Sequence, residues 1–497
     1  MPSDVLTPPR RTASPRHAVT PRGPRHRRST PTANGLFGRG MIYVLVWSLQ
    51  LVVSSAVSPV LAHLLGSSDF GHLATSIALY QVFSVLMVFG LDQALIIEHS
   101  DGSSHRAGAA RIVWLGAAIA VALTAVLLLT GRAWSGAAGF PHFRGIVVLA
   151  VLWSGPGAVN LIMMALLRAE DRLGAFVAMN LLTSIGGQLG GVVVIGAGAR
   201  TSTAYGWAGV VAQYAALAIG LILIRPRLRG TFDRAWSSRV LRVGSSMTAS
   251  ALALFLLNSG DRVLLQRLDG AASVGRYQIA YVVGSVPILL LTFLNQAWLP
   301  RILEIRDRRE QWRILAVSRD RLLGILAPAV AALVMASPVV LDILAPASYR
   351  PSSLVTVVFL VAIAAFPVAD CAASTRALLA LRRTVPVALC TGIAAVINVV
   401  LNIVLIPLVH VDGAALATLA AFTVQAMVAR RYVARDRALP LPSRRSSFVG
   451  LCATLVAGAG VVATASAGPW LVARVVLTGG LVALAVVQLA GAARAQI

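Results

Sequence analysis

The residues of this chain that could do chemistry are polar side chains within or beside long apolar stretches. Four of these stretches, 41–64, 71–97, 240–260 and 275–299, hold or border amides, tyrosines, arginines and aspartates. Amides and tyrosines can hydrogen-bond a polar ligand, and an arginine can pair with two phosphate oxygens at once. The set comprises Gln50, Tyr80, Gln81, Asp92, Gln93, Asn258, Asp261, Arg262, Arg276, Gln278, Tyr281, Asn295 and Gln296.

Each of these polar groups also has a structural explanation. Polar side chains in a membrane usually face protein or water, because exposure to lipid is costly. Amides there often hydrogen-bond a neighbouring helix and hold the bundle together. Asp261, Arg262 and Arg276 lie near the ends of their stretches, where an ion pair at the membrane interface explains them equally well. The sequence alone leaves both interpretations open.

Two aspartates are candidates for proton coupling. Asp92 and Asp370 each lie a short distance inside the end of an apolar stretch. A carboxylate at such a position can exchange a proton during transport. It can also reach the membrane surface, or pair with a nearby arginine such as Arg168 or Arg376.

The elements that must position these side chains are membrane-spanning helices. About 20 apolar residues cross the hydrocarbon core as a helix, and lipid offers no partner for free backbone groups. The sequence predicts an all-α polytopic protein with about fourteen spans. We place them at 41–64, 71–97, 107–131, 145–167, 175–196, 203–224, 240–260, 275–299, 321–345, 352–375, 384–408, 412–432, 446–467 and 470–492.

The basic residues predict the orientation of these spans. The chain has 43 basic residues, all arginine, and nearly all lie in alternate gaps between spans. Basic residues stay on the cytoplasmic side, so both termini are expected in the cytoplasm of a bacterial inner membrane. A net charge of +25 would suggest nucleic acid in a soluble protein. Here anionic membrane lipids explain it, and no nucleic-acid partner is expected.

The composition excludes several classes of function. A hydrophobic share of 57%, only 12% charged residues and a mean hydropathy of +0.80 do not describe a soluble domain. The gaps between spans are too short for a catalytic domain, so we expect no enzyme and no cofactor. Cys371, Cys390 and Cys452 lie inside spans without metal-ligand spacing, so no metal is expected. Residues 1–40, rich in proline and arginine, are predicted to be a disordered cytoplasmic tail.

An internal repeat predicts how the spans are grouped. Gly-Ser-Ser-Asp-Phe-Gly at 66–71 opens the second span, and Gly-Ala-Ala-Ser-Val-Gly at 270–275 opens the eighth. Six helices separate the two copies, so both copies have the same orientation in the membrane, an architecture typical of transporters. The predicted domains are an N-lobe (41–224), a cytoplasmic linker (225–239), a C-lobe (240–433) and a terminal helix pair (434–497).

The same segments resemble a known family. The motif at 66–71, the run Asn-Ser-Gly-Asp-Arg-Val-Leu-Leu at 258–265 and Val-Gly-Arg-Tyr at 274–277 are similar to bacterial polysaccharide exporters. So is the asparagine-rich segment 398–407, followed by Asp-Gly-Ala-Ala at 412–415. Over about 41–435 the chain resembles the Wzx-type oligosaccharide flippases of the MOP superfamily, which also contains MATE drug exporters and lipid II flippases.

The resemblance implies a fold and a function. It implies two six-helix lobes around a central cavity that carry polyprenyl-diphosphate-linked oligosaccharide to the outer leaflet by alternating access. In this family the first two helices of each lobe line much of the cavity, which here would be spans 1, 2, 7 and 8. Arg262 and Arg276 are expected to contact the diphosphate. The protein is expected to act as a monomer with polysaccharide polymerase machinery as a further partner. The remaining substrate-binding residues are expected to be Gln50, Gln81, Asn258, Gln278, Tyr281, Asn295 and Gln296.

Three alternatives remain open on the sequence. A MATE-type cation-coupled exporter commonly has an acidic residue in its first helix, and 41–64 has none. Lipid II flippases have arginines in the first two helices, and 41–64 and 71–97 have none. A glycosyltransferase or glycan polymerase would need acidic residues on a large outer loop, and the longest outer gaps are short.

Overall fold

The computed structural model describes residues 33–100, 105–225, 234–292, 302, 305, 307–435, 442–462 and 469–494, all of them helices and connecting turns without a strand. Asn295 and Gln296 lie outside the described residues. The helices are α1 (Ala33–Leu64), α2 (Ser67–Val88), α3 (Leu91–Ser100), α4 (His105–Leu129), α5 (Gly131–Trp134), α6 (Ile146–Ala169), α7 (Leu173–Asn180), α8 (Gly187–Gly196), α9 (Ser202–Ile224), α10 (Arg234–Leu268), α11 (Ala271–Gly284), α12 (Val286–Thr292), α13 (Arg308–Leu344), α14 (Val355–Ile363), α15 (Ala365–Ala380), α16 (Thr384–Arg435), α17 (Arg444–Val462) and α18 (Pro469–Arg494).

The number of spans differs from the sequence prediction. Among the described residues, 10 helices are long and apolar enough to cross a membrane, or 11 if α11 and α12, bent by 55°, form one span. The two predicted spans 384–408 and 412–432 lie in α16, which consists of two helices joined at a kink where Val409 and His410 leave helical geometry. Leu49–Leu64 and Phe448–Val461 are apolar but shorter. The count of fourteen therefore stays a prediction, while the all-α polytopic fold is confirmed.

Several helix boundaries differ from the expected ones. Helix α1 begins at Ala33, so residues 33–40, which were expected in the tail, are helical. The predicted second span, 71–97, is divided at Phe89 and Gly90, where both residues have positive φ and α2 gives way to α3. The linker expected at 225–239 is partly helical, because α10 already begins at Arg234.

The helix connections lie on two sides of the bundle. We call face A the side where α1 turns into α2 and where α10 turns into α11. Face B is the side where α6 turns into α7 and where α15 turns into α16. Contacts between distant segments agree with this division, because Arg267 donates to the carbonyl of Gly136 on face A and Trp236 donates to Glu98 on face B.

The helices also form two sets along the chain. We call α2–α9, with residues 43–64 of α1, the N-half and α10–α16 the C-half. Helix α6 packs against α2, α4 and α9, and most of its residues are buried. In the C-half, α16 packs against α10 and α15, while α17 and α18 pack against α13. The main packing between the halves is that of α2 against α10 and α11.

The two halves touch backbone to backbone at face A. A Cβ atom on Gly71 of α2 would overlap the carbonyl oxygen of Ala271, and one on Gly275 of α11 would overlap that of Ser67. Only glycine permits so close an approach. These residues are the matching positions of the sequence repeat, so the contact is reciprocal, as expected for two copies related by a two-fold axis.

Candidate functional site

A cavity of about 770 Å³ lies between the two halves. Helices α1, α2, α6, α7, α8 and α9 of the N-half line one wall, and α10, α11 and α12 of the C-half line the other. Seven of the candidate residues from the sequence line this cavity. They are Gln50, Tyr80, Gln81, Asn258, Arg262, Gln278 and Tyr281.

The other predicted site residues in the described part of the chain do not line the cavity. Arg276 lies near face A, where it donates to the carbonyl of Tyr349 (3.2 Å) and to the hydroxyl of Ser353 (2.7 Å). Its guanidinium is thus used to hold α11 against the short helices that follow α13.

The two coupling candidates also lie off the cavity. Asp92 is half-buried and accepts a hydrogen bond from Gln93 (2.8 Å). Asp370 is buried and accepts a hydrogen bond from Arg430 of α16 (2.5 Å). Both positions fit a structural role, in which each carboxylate near face B holds a neighbouring side chain, Gln93 for Asp92 and Arg430 for Asp370.

The C-half wall contains a buried charged cluster around Arg262. Its Nη1 donates to Asp261 and to the carbonyl of Asn258, both at 2.7 Å, and its Nε donates to Gln278 at 3.2 Å. The guanidinium lies over the ring of Tyr281, 4.1 Å from its centroid. The cluster therefore fixes the guanidinium at the C-half wall of the cavity.

Asp261 makes this arrangement stable. Its Oδ2 accepts a hydrogen bond from the hydroxyl of Tyr277 (2.6 Å), and its Oδ1 pairs with Arg262. A buried charge is tolerated only when it is paired and hydrogen-bonded, and here both oxygens are occupied. The sequence marked this pair as an interfacial ion pair or a ligand site. In the structure Arg262 lines the cavity, and Asp261 lies behind it as its buried partner.

Apart from Arg168 near the face B end of α6, the described residues of the N-half wall are uncharged. Asn160 of α6 donates to the carbonyl (2.9 Å) and the side-chain oxygen (2.8 Å) of Gln213 on α9. Gln213 donates in turn to the hydroxyl of Tyr80, whose ring stacks on Trp153 with centroids 4.8 Å apart. Gln188 donates to Ser54 at 2.7 Å. These contacts hold five helices of the N-half in register and turn amide and aromatic groups towards the cavity.

A break in regular helix geometry adds polar groups to the same wall. Between α7 and α8 the chain forms a π-helix at Leu181–Gly186, and such insertions are frequent at functional sites. Asn180, Thr183 and Ser184, at or within this segment, line the cavity. Sequence reasoning missed them because it concentrated on other spans. Their polarity inside the apolar stretch 175–196 was the signal that could have found them.

Arg168 is the other arginine of the cavity lining. It lies at the face B end of α6, is exposed, and among the described residues has only the ring of Phe176 as a partner, 5.9 Å away. No carboxylate is found among the described residues that line the cavity. Its charged lining groups are thus Arg168 and Arg262, which favour an anionic ligand.

The sequence matches the family described as polysaccharide biosynthesis protein over residues 60–354, more than half of the chain. The chain belongs to this family. No curated protein matches it.

Solved structures with this fold are transporters. The lipid II flippase MurJ in an inward closed conformation is 12% identical, with a TM-score of 0.71 over 92% of this chain and 99% of that protein. An inward-facing multidrug resistance MATE family transporter of the MOP superfamily is 13% identical, with a TM-score of 0.58 over 80% and 95%. A mutant of the Vibrio cholerae MATE transporter VcmN is 14% identical, with a TM-score of 0.54 over 80% and 96%.

These similarities bear on the fold of this family member. At 12–14% identity they show that the chain has the fold of MOP-superfamily transporters. The resemblance found from the sequence motifs is thereby confirmed at the level of family and fold, and the protein is a multi-pass membrane protein.

Proposed function

We propose that this protein is a flippase that moves a polyprenyl-diphosphate-linked oligosaccharide from the cytoplasmic to the outer leaflet for cell-surface polysaccharide biosynthesis. One observation carries the proposal, namely a cavity whose charged lining groups are arginines and whose remaining polar surface is amide, hydroxyl and aromatic. Arginines suit a diphosphate, and amides with aromatic rings suit the hydroxyls and ring faces of sugars.

The lobes and the orientation are part of the same proposal. The N-lobe (41–224) and the C-lobe (240–433) would move against each other around the cavity, with 434–497 as a terminal pair. The reciprocal contact of Gly71 and Gly275 supports two equivalent lobes. The arginine-rich gaps support placing face B and both termini in the cytoplasm of a bacterial inner membrane. We propose a monomer that hands its product to polysaccharide polymerase machinery.

A second candidate is a lipid II flippase, favoured by the similarity to MurJ and by the two cavity arginines. Lipid II is also a polyprenyl-diphosphate-linked glycan, so the same wall chemistry would serve. A MATE-type drug exporter fits less well, because no carboxylate lines the cavity among the described residues and cationic drugs need one.

The test is a leaflet-resolved assay of polyprenyl-linked glycan in a deletion strain, with drug susceptibility scored on the same cells. The proposal expects surface glycan trapped on the cytoplasmic leaflet, normal drug susceptibility and rescue by the wild-type chain. Trapped lipid II in place of surface glycan would favour the second candidate. Normal glycan export with heightened drug susceptibility would contradict the proposal.

A further inference from the structure

A second opening lies outside the cavity, between α4 and α10 near face B. Its volume is about 790 Å³, and it is open along one side. Phe89, between α2 and α3, also lines it. The α4 wall is Ile119, Ala122 and Leu123, and the α10 wall is Arg234, Ser237, Ser238, Leu241 and Arg242. We call this the α4–α10 groove.

The charge on the α10 wall is arranged in a stripe. Arg234, Ser238 and Arg242 follow at intervals of four residues, which places them on one side of a helix. Both arginines are exposed, and among the described residues neither side chain has a hydrogen bond or an ion pair. Two cations beside an apolar surface make a site for a molecule that is anionic at one end and apolar at the other.

The depth of the groove matches the headgroup region of a bilayer. Arg242 precedes Leu268, the last residue of α10, by 26 residues, which at 1.5 Å per residue is about 39 Å of helix. The hydrocarbon core is only about 30 Å thick. With Leu268 at face A, Arg242 lies beyond the core on the face B side, at the level of lipid phosphates. Ile119 and Leu123 lie on α4, which runs from face B to face A as α10 does.

We propose that the α4–α10 groove binds an anionic glycerophospholipid of the face B leaflet, with its phosphate on Arg234 and Arg242 and its acyl chains along Ile119, Leu123 and Leu241. A membrane lipid fits better than the transported substrate, because no residue lines both the groove and the cavity. This inference does not rest on the proposed function.

The groove also joins the two halves of the molecule. Its α4 wall belongs to the N-half and its α10 wall to the C-half. Beside it, a Cβ atom on Gly244 of α10 would overlap the carbonyl oxygen of Phe89. A lipid seated here contacts both halves next to one of their tightest contacts, so it stabilises the arrangement in which they meet at face B.

The test measures binding of phosphatidylglycerol to the purified full-length chain in detergent, by thermal unfolding over a lipid titration. Phosphatidylcholine with the same acyl chains is the neutral probe. We expect phosphatidylglycerol to raise Tm more than phosphatidylcholine, and the difference to shrink as salt is added. In Arg234→Gln/Arg242→Gln the affinity for phosphatidylglycerol should fall at least tenfold. Arg239→Gln, an exposed arginine of the same helix outside the groove, should bind like the wild type.

Several results would overturn the inference. Equal responses of the wild type to both lipids would remove the anionic site. An equal response to inorganic phosphate would assign the effect to free anion, and a response to polyprenyl diphosphate alone would assign the groove to the substrate. Equal losses in the double variant and in Arg239→Gln would show a general effect of charge. The wild-type titrations decide the matter even if the double variant does not fold.

Discussion

The two walls of the cavity differ in how they use polar groups. On the C-half wall, one buried ion pair, Asp261 with Arg262, concentrates charge at a single place. On the N-half wall, amides, hydroxyls and stacked rings spread over α1, α2, α6, α8 and α9 without a buried charge. The difference indicates a division of labour, with phosphate on the C-half wall and sugar on the N-half wall.

Transport by alternating access requires the two walls to move against each other. The largest loss of glycan export is therefore expected from a change at the contact between the two halves. Gly71→Ala places a Cβ atom against the carbonyl oxygen of Ala271, so α2 and α11 cannot close at face A. We expect glycan export to be abolished while protein abundance remains. Gly66→Ala is the matched control, because nothing lies within 4 Å of its Cβ position. Export at the wild-type rate in Gly71→Ala would show that this contact is not part of the transport cycle.

The second-largest loss of export is expected when the charges of the C-half wall are removed. Asp261→Asn/Arg262→Gln removes both charges together, so no unpaired buried charge is left to unfold the site. Each charge-assisted hydrogen bond to phosphate contributes about 1.5–3 kcal/mol. The loss of two such bonds should lower the export rate about a hundredfold at limiting substrate. Export is measured as surface glycan per cell at matched protein abundance, and a change below threefold would remove Arg262 from the substrate site.

A smaller effect is expected on the N-half wall. Gln50 and Gln81 line the cavity and make no hydrogen bond among the described residues, so Gln50→Ala/Gln81→Ala removes ligand contacts without breaking internal ones. At about 1 kcal/mol for each hydrogen bond, export should fall about thirtyfold. Gln93→Ala is the control, since Gln93 lies outside the cavity lining. Equal export in the two variants would contradict a sugar-binding role for this wall.

The smallest effect on export is expected from Asp370 and Asp92, which lie outside both walls of the cavity. Asp370→Asn keeps an acceptor for Arg430 but removes the ion pair, which is partly exposed and is worth no more than about 1 kcal/mol. We expect export within about twofold of the wild type and an unchanged dependence on pH. Loss of the pH dependence, measured on vesicles with an imposed proton gradient, would instead identify Asp370 as a coupling residue. The same assay on Asp92→Asn tests the other candidate.

Much of the fold could be predicted because its causes are local. Long apolar runs, alternating arginine-rich gaps and the repeated motifs at Gly71 and Gly275 are all visible in the sequence, and they led to the all-α transporter fold. The division of the second span at Phe89 was not predicted, because it depends on two residues with positive φ. The break between the predicted spans 384–408 and 412–432 was predicted, because the apolar pattern is interrupted where Val409 and His410 leave helical geometry.

The site could be predicted only in part, because residue type is visible in the sequence and the position of a side chain in the fold is not. Residue type marked Arg262 and Gln278 as candidates, but type alone cannot separate them from Arg276, whose guanidinium is held by Tyr349 and Ser353 from a distant part of the chain. The polar groups of the π-helix and Arg168 reach the cavity through the packing of α6 and α7. Such placement depends on tertiary contacts, which a single sequence does not display.

The division between the walls is tested most directly by binding. The purified wild type, Asp261→Asn/Arg262→Gln and Gln50→Ala/Gln81→Ala would each be titrated with polyprenyl diphosphate, with and without its glycan. We predict that the C-half variant loses affinity for both ligands, while the N-half variant loses only the extra affinity that the glycan provides. A C-half variant that still binds polyprenyl diphosphate like the wild type, or an N-half variant that loses affinity for the sugar-free ligand equally, would contradict the account.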